Sequence, residues 1–385
     1  MADPRSRKPC SPPPAARTMR GPVATHGTTG GPAPAVAPEQ EVTYGRAVPV
    51  NRVGVALVGP GGLNQRHVEA IAHVDGAEFR GALQQSPGTG LSGPAAEYLS
   101  WEQLLRDSTV QLVSFCAPGS TQRRLARQAL EAGKAVLLEG IATHSTAELD
   151  DLVALSEQAG QPAGAMLPHR YCLPPDVWHG RWRSSATATV TVSRYRPPAP
   201  RGQCPQCGTA EALSRLITRP GTHYLDLVCQ LLGPPADVHV EGLQGPAGST
   251  GGRVAGVVRF ASGGVLSFSL TCESPTRIER VAVLDVDQSL IIEDGRLVTD
   301  GADGPVDRPA LHLPELRTEV YRDMAEAIRT GRPPHRCRLS RTRAVTTILE
   351  RMYRQFESVS GGSGQSAEAI PPEDVHRQYV DRRPL

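Results

Sequence analysis

The stretch RVGVALVGPGGLNQRH, from Arg52 to His67, decides the fold of this 385-residue chain. Its first half is a short apolar run bounded by glycines, which is typical of a buried strand in a parallel sheet. A glycine turn follows, and residues 68–72 then have the spacing of an amphipathic helix. We therefore predict a strand, a tight turn and a helix N-terminus in succession.

The glycine turn contains the residues that we single out for nucleotide binding. A helix N-terminus presents unpaired backbone N–H groups and a positive dipole, which together favour a diphosphate. Asn64 stands where the G-x-G-x-x-G pattern has its third glycine, so the motif alone fits nucleotide binding and a turn that merely starts a helix equally well. The cofactor-binding candidates here are Gly59, Gly61, Gly62, Leu63 and Asn64.

Charge and composition argue against several classes of function. The 41 basic and 39 acidic residues nearly balance, which predicts no nucleic-acid partner and no attraction to anionic membranes. No apolar run reaches 18 residues, so we expect no transmembrane span. Eight cysteines are too few and too scattered for a disulfide scaffold, and they predict a reduced, cytoplasmic protein.

The first 50 residues differ in composition from the rest. They are dense in Pro, Ala, Gly, Ser and Thr and hold few large apolar side chains, so we expect a disordered tail over residues 1–50. Basic residues precede Met19, but no apolar segment of a secretory signal follows. The tail could be a linker or a flexible adaptor. Alternatively, the start of the chain could be assigned too early, with Met19 as the alternative start. Residues 361–385 are expected to be a C-terminal extension.

Strands and helices alternate over residues 51–165. This alternation predicts a Rossmann domain, an α/β unit with an open parallel sheet covered on both faces. Right-handed crossovers would bring the loops after Val58, Cys116 and Leu138 to one carboxyl edge. The predicted strands after the first are 78–83, 110–116 and 134–139, and the predicted helices are 101–105, 121–132 and 147–158.

Further cofactor-binding candidates lie at this edge. Ala117 and Pro118 end one strand, and Glu139 ends the next. Gln84 occupies the place, about 20 residues beyond the turn, where a dinucleotide-binding unit usually carries an acidic residue. An amide does not repel a 2′-phosphate, so NADP is favoured over NAD, although residues 86–93 hold no arginine to clamp that phosphate.

Apolar and polar residues alternate from about Thr187. Turn residues at 262–264 and 293–295 predict hairpins, and helical patterns cover 224–232, 320–328 and 343–356. We predict an α+β domain over residues 166–360 with an open, largely antiparallel sheet. An open sheet exposes one face unless something covers it, so we expect a homo-oligomer through that face.

Five segments in this order resemble the glucose-fructose oxidoreductase and inositol dehydrogenase family (Gfo/Idh/MocA). The resemblance covers about residues 51–360. It implies a nicotinamide cofactor and hydride transfer to or from an alcohol carbon, commonly of a sugar or polyol. The segments are VGPGGLNQRHVEAI, ALEAGKAVLLEG (129–140), PHRY (168–171), GTHYLDLVCQLLG (221–233) and YRDMAEAIRTGRPP (321–334).

Two departures from the family pattern affect the chemistry. Gly140 replaces the lysine of Glu-Lys-Pro, and Arg219 replaces the aspartate of Asp-x-Gly-x-His. Loss of one catalytic group costs about 10² to 10⁴ in rate, unless Arg219 reaches into the space that the lysine vacates. Two hypotheses follow: an NAD(P)-dependent oxidoreductase, or a catalytically degenerate member that serves as a cofactor-sensing or partner-binding subunit.

The resemblance also indicates site residues. His223 is retained and is the catalytic candidate for moving the hydroxyl proton, although a lone histidine is more often structural. Arg219 is the second catalytic candidate. His169 and Arg170 are the substrate-binding candidates, and Arg170 could instead close an ion pair between domains. Asp226 could orient His223 or support packing, and the family pattern favours packing.

Three other features carry weaker signals. His67 is expected to pack the glycine turn rather than to contact a substrate. Cys204 and Cys207 form a single C-x-x-C, which has half the ligands of a structural zinc site, so an incidental pair is favoured over zinc or a redox dithiol and no metal is predicted. The basic residues at 336–343 fit a solvated face, or contact with a phosphate or an acidic partner.

Overall fold

The computed structural model describes residues 52–59, 61–84, 96–116, 120–180, 182, 185–195, 221–243, 253–272, 274–302, 304–309 and 312–360. Several sequence predictions lie outside these ranges. They concern residues 1–50 and 361–385, Ala117, Pro118, Cys204, Cys207 and Arg219. For residues 61–64 and Gln84 the structure describes the backbone placement only.

The first sheet is parallel throughout the described chain. Its strands are β1 (Val53–Gly59), β2 (Ala77–Gln84), β3 (Ala96–Glu97), β4 (Leu112–Phe115), β5 (Ala135–Glu139) and β6 (Ala163–Met166). Their order is β3-β2-β1-β4-β5-β6, so the strand order reverses between β1 and β4, where open α/β sheets bind ligands. The connecting helices are α1 (Gly61–Ala72), α2 (Trp101–Arg106), α3 (Ser120–Glu131) and α4 (Thr146–Gln158).

β1 is buried along its whole length, as its apolar run predicts. Alternate side chains point to opposite faces of a strand. Val55 and Leu57 therefore join a core with residues of α1, whereas Ala56 and Val58 join a core with residues of α3 and α4. The strand lies between two hydrophobic layers, and this explains why its sequence lacks polar alternation.

The second sheet is mixed and largely antiparallel. Its strands are β7 (Thr187–Ser193), β8 (Pro235–Leu243), β9 (Arg253–Phe260), β10 (Val265–Thr271), β11 (Ile278–Leu284), β12 (Ser289–Glu293), β13 (Arg296–Asp300) and β14 (Val306–Pro309). They follow the order β14-β13-β12-β11-β7-β10-β9-β8, with β7 and β10 parallel. The fold class predicted from the sequence is confirmed.

Helices cover one face of the second sheet. A short 3₁₀ helix (Pro168–Cys172) and α5 (Pro175–Trp178) lead from β6 towards β7, and α6 (Thr222–Leu232) precedes β8. The last helix is α8 (Arg343–Ser360). Apolar residues of α6 and α8 share a core with the inward residues of the sheet. The outward residues of β7 and β10 alternate with these and are exposed.

Helix α7 (Leu313–Thr330) returns from the second sheet to the first. Its apolar side chains, including Val320, Tyr321 and Met324, are in one core with Val53 and Leu57 of β1. A segment that follows the second sheet in sequence therefore completes the hydrophobic layer of the first. None of the helices in the described residues is long and apolar enough to cross a membrane.

Candidate active site

The glycine turn and Glu139 lie at the same edge of the first sheet. β1 ends at Gly59 and β5 ends at Glu139, and parallel strands place their carboxyl ends on one side. Helix α1 begins at Gly61, two residues after the end of β1, and its first turn holds no acidic residue. The first turn of α1 therefore carries no carboxylate of its own that would compete with an anion.

Gly140 directly follows β5, at the position where the family pattern has lysine. Its φ is +65°, and a Cβ built there would meet no atom of the described residues within 4 Å. The space beside Gly140 is therefore open, while its left-handed backbone conformation favours glycine over other residues.

His67 belongs to a buried hydrogen-bonded group below the glycine turn. Its Nδ1 lies 2.7 Å from the hydroxyl of Tyr321, which lies 2.8 Å from the Ser114 hydroxyl. Its Nε2 lies 3.6 Å from the Glu139 carboxylate. Burial, with the charge of Arg317 as a smaller cause, lowers the pKa of His67 to about 3. Neutral His67 thus links α1, α7 and the carboxyl edge.

The rings of His169 and His223 are in contact, tilted with respect to each other, where the 3₁₀ helix approaches α6. Their ring centroids are 4.8 Å apart and the rings are inclined by 32°. The Nδ1 atom of each ring is buried without a hydrogen-bond partner. Burial lowers the pKa of His169 to about 4, and burial reinforced by neighbouring cationic groups lowers that of His223 well below its usual value. Both rings are therefore neutral near pH 7.

A charged group lies beside this histidine pair. The Tyr224 ring meets His169 edge-on at 4.9 Å, and its hydroxyl donates to Glu279 at 2.7 Å. Arg194 also donates to Glu279. Burial opposes ionisation of Glu279, but these hydrogen bonds outweigh it and lower its pKa to about 2. The sequence analysis missed Glu279, which the pairing of β11 with β7 brings next to Arg194.

Arg170 and Asp226 form an ion pair in which neither side chain is exposed, at 0% each. Nε and Nη2 of Arg170 donate to the two carboxylate oxygens at 2.7 Å, and Nη1 donates to the Arg336 carbonyl oxygen at 2.7 Å. The sequence left two roles open for Arg170, which were binding a substrate and closing an ion pair between domains. Arg170 does form an ion pair, but its partner Asp226 lies in the same predicted α+β domain. With all three nitrogens engaged, Arg170 is not placed to bind a substrate, and Asp226 supports packing rather than His223.

Arg317 is a buried residue that the sequence analysis also missed. It lies on α7, one turn before Tyr321, and is 8% exposed. Its Nε is buried without a hydrogen-bond partner. The sequence offers one signal: Arg317 shares with Val320, Tyr321 and Met324 the helical spacing of a buried face. Within the described residues, no group of three or more His, Cys, Asp or Glu side chains could hold a metal ion.

Comparison with known protein families finds a match for the Rossmann unit of the chain. Residues 53–165 match the model of the Gfo/Idh/MocA family, described as an oxidoreductase family with an NAD-binding Rossmann fold. The Rossmann unit is therefore similar to that of the Gfo/Idh/MocA family. The resemblance inferred from the sequence is confirmed. No curated protein sequence matches the chain.

Solved structures extend the likeness of the chain beyond its Rossmann unit. UDP-N-acetylglucosamine 3-dehydrogenase from Acidithiobacillus ferrooxidans is 18% identical with a TM-score of 0.64, covering 79% of this chain and 98% of that one. Levoglucosan dehydrogenase, in complex with NADH and levoglucosan, is 16% identical with a TM-score of 0.66, covering 80% and 98%. Biliverdin reductase from Synechocystis, in complex with biliverdin and NADP+, is 16% identical with a TM-score of 0.60, covering 79% and 98%. At sequence identities this low, the comparison shows a similar fold and nothing further.

Proposed function

We propose that this chain is a cytoplasmic, NAD(P)-dependent oxidoreductase. It transfers a hydride between nicotinamide and the CH–OH or carbonyl carbon of a sugar- or polyol-like small molecule. The glycine turn carries the proposal, because it lies at the switch point of a parallel sheet within residues that match an NAD-binding family.

The residues at the carboxyl edge fit a dinucleotide. The N–H groups of residues 61–64 would hold its diphosphate, since α1 begins there with no acidic side chain in its first turn. Gln84 would bind the adenosine ribose, and its lack of charge favours NADP over NAD. Ala117, Pro118 and Glu139 would border the nicotinamide half. The bound nicotinamide supplies or accepts the hydride.

His223 is the residue that we propose moves the hydroxyl proton during hydride transfer. Its buried Nδ1 has no hydrogen-bond partner among the described residues, and its lowered pKa keeps the ring neutral and able to accept a proton near pH 7. His169 would contact the substrate beside it, and Arg219 would orient the substrate in place of the missing lysine.

Fluorescence titration with NADH and NADPH tests the cofactor site. We expect at least one of them to bind, NADPH more tightly. A Gly61→Glu variant should bind at least tenfold more weakly, because a carboxylate in the first helical turn repels the diphosphate. Gly301→Glu is the control, since it adds the same charge at an exposed turn with open space around it. Failure of the unmodified chain to bind either nucleotide would refute the proposal. Binding without turnover of any polyol would favour the cofactor-sensing subunit.

We also propose that the outward face of the second sheet is covered in a homo-oligomer. Val265 and Leu284 are exposed and lie in one row on either side of Thr187. Val257 and Ile278 are exposed on the neighbouring strands β9 and β11. Single exposed apolar residues are ordinary on a protein surface, whereas several on adjacent central strands indicate a contact surface.

A further inference from the structure

Arg317 is a buried cation without a counter-charge in direct contact. It is 8% exposed, and among the described residues no side chain forms an ion pair or hydrogen bond with it. Glu139 is in the same neighbourhood, since both charges act on Cys116 and Tyr321, but no ion pair joins it to Arg317. Burying an unpaired guanidinium is unfavourable. A residue kept in this state is expected to serve a ligand rather than stability.

The position of Arg317 on α7 directs it to the carboxyl edge of the first sheet. Tyr321, one turn further along the same face of the helix, contacts both His67 and Ser114. Ser114 is the penultimate residue of β4, and His67 contacts Glu139 at the end of β5. The positive charge of Arg317 also lowers the pKa of His67 and of His223. Arg317 therefore acts on the cofactor edge and on the histidine pair together.

Two independent observations indicate a binding site for a polar ligand. Among the described residues, the buried Nδ1 atoms of His169 and His223 have no hydrogen-bond partners. The space beside Gly140 is open, at the position where the family pattern has a lysine. Buried polar atoms are nearly always hydrogen-bonded in native proteins, so unpartnered groups from three separate elements indicate a polar ligand.

We propose that Arg317 binds an oxyanion group of the substrate, a carboxylate or a phosphate. The substrate class is then a hydroxylated small molecule that carries an acidic group, rather than a neutral sugar or polyol. Arg317 would supply a positive charge to the substrate in addition to the one proposed for Arg219. This inference rests on the proposed oxidoreductase function, because it concerns the substrate of the same site.

The guanidinium suits this role chemically. Its fork of N–H donors matches the paired oxygens of a carboxylate or phosphate, and hydrogen bonds between charged groups are about twice as strong as neutral ones. The cofactor diphosphate is the other anion expected nearby. We assign Arg317 to the substrate because the diphosphate is expected at residues 61–64, whereas the charge of Arg317 reaches His223.

Two matched pairs of probes test the proposal. L-tartrate and L-threitol share a carbon skeleton and differ in their carboxylates, and glycerol 3-phosphate and glycerol differ in the phosphate. Calorimetric titration of the full chain, with and without saturating NADPH, should show at least one acid binding tenfold or more tightly than its neutral counterpart. Arg317→Gln should remove that preference, a loss of at least tenfold for the acid with little change for the neutral compound.

Arg322→Gln is the matched control, because Arg322 lies on the same helix, is exposed and pairs with Glu319. It should keep the preference for the acid. Arg317→Gln should also keep or raise the melting temperature, since it removes a buried unpaired charge. A lowered melting temperature with an unchanged preference would show a structural role and overturn the proposal.

Three further results separate this inference from the proposed function. If neither acid binds better than its neutral partner, the inference fails even where NADPH binds. If Arg317→Gln weakens NADPH alone, Arg317 serves the cofactor and the inference is overturned. If neither nucleotide binds but an acid still binds through Arg317, the cofactor proposal fails while the anion site stands.

Discussion

His67 and His223 differ in whether the Nδ1 atom of the ring has a hydrogen-bond partner, and this difference distinguishes a structural histidine from a candidate site residue. Burial keeps both His67 and His223 neutral. His67 uses Nδ1 to contact the Tyr321 hydroxyl, whereas the Nδ1 of His223 has no partner. A satisfied ring stabilises the fold, while an unsatisfied one is open to a ligand. The site is therefore identified by unpartnered atoms rather than by residue type.

The buried state of His67 predicts a loss of stability in acid. Its pKa is about 3 in the folded chain against an ordinary value of 6.5, so below pH 6.5 the unfolded chain binds a proton that the folded chain does not. Through His67 alone, the free energy of unfolding should fall by up to about 1.4 kcal/mol per pH unit from pH 6.5 towards pH 3. Urea unfolding at pH 7 and pH 5 measures this.

Glutamine does not titrate in this range. In a His67→Gln variant, the difference in the free energy of unfolding between pH 7 and pH 5 should therefore be smaller by about 2 kcal/mol. His73→Gln is the control, because His73 is exposed just beyond α1. An unchanged pH dependence in His67→Gln would mean that His67 is not the group responsible.

At the scale of elements, one ion pair joins the 3₁₀ helix to α6. Arg170 and Asp226 are fully buried, and Arg170 also binds the backbone carbonyl of Arg336 just after α7. The pair therefore holds together the three segments that surround His169 and His223. Its geometry is bidentate, which is the arrangement that offsets the cost of burying two charges.

Breaking this pair should be costly. Asp226→Ala leaves the Arg170 guanidinium buried and uncompensated, and it should lower the free energy of unfolding by about 3 to 5 kcal/mol. The double variant Arg170→Met with Asp226→Ala should lose less than Asp226→Ala alone. Asp150→Ala is the control, because it breaks an exposed pair with Arg343 and should cost about 1 kcal/mol or less. Equal losses for Asp226→Ala and Asp150→Ala in urea unfolding would contradict this account.

At the scale of the whole molecule, the two sheets use their faces differently. The first is covered on both faces, by helices that include α7 from the far end of the chain. The second is covered on one face, and its outward face exposes Val257 and Val265 among small polar residues. The chain alone does not bury this surface.

Because we expect another copy of the chain to cover this surface, we predict an assembly larger than a monomer. Light scattering after size-exclusion chromatography at micromolar concentration should give a multiple of 41.0 kDa. Thr189→Arg, at an exposed position in the middle of β7, should shift the mass to that of the monomer. Thr330→Arg is the control, since Thr330 is exposed at the end of α7. A monomeric mass for the unmodified chain would refute the expectation.

The local structure and the order of the elements could be predicted from the sequence alone. The apolar run of β1 and the glycine turn after it predicted the parallel sheet. The turns at 262–264 and 293–295 predicted the hairpins, the second confirmed by positive φ angles at Asp294 and Gly295. These features depend on residues close in sequence, because side-chain periodicity and turn conformation are local properties.

Which polar groups are in contact depends on the tertiary packing and could not be predicted from the sequence. The Arg170–Asp226 pair spans 56 positions and the His67–Tyr321 contact spans 254. Arg317 is buried on α7 and forms no ion pair or hydrogen bond with another described residue. A pattern of residue types gives periodicity but not long-range packing, and packing determines which charges are paired and which remain available to a ligand.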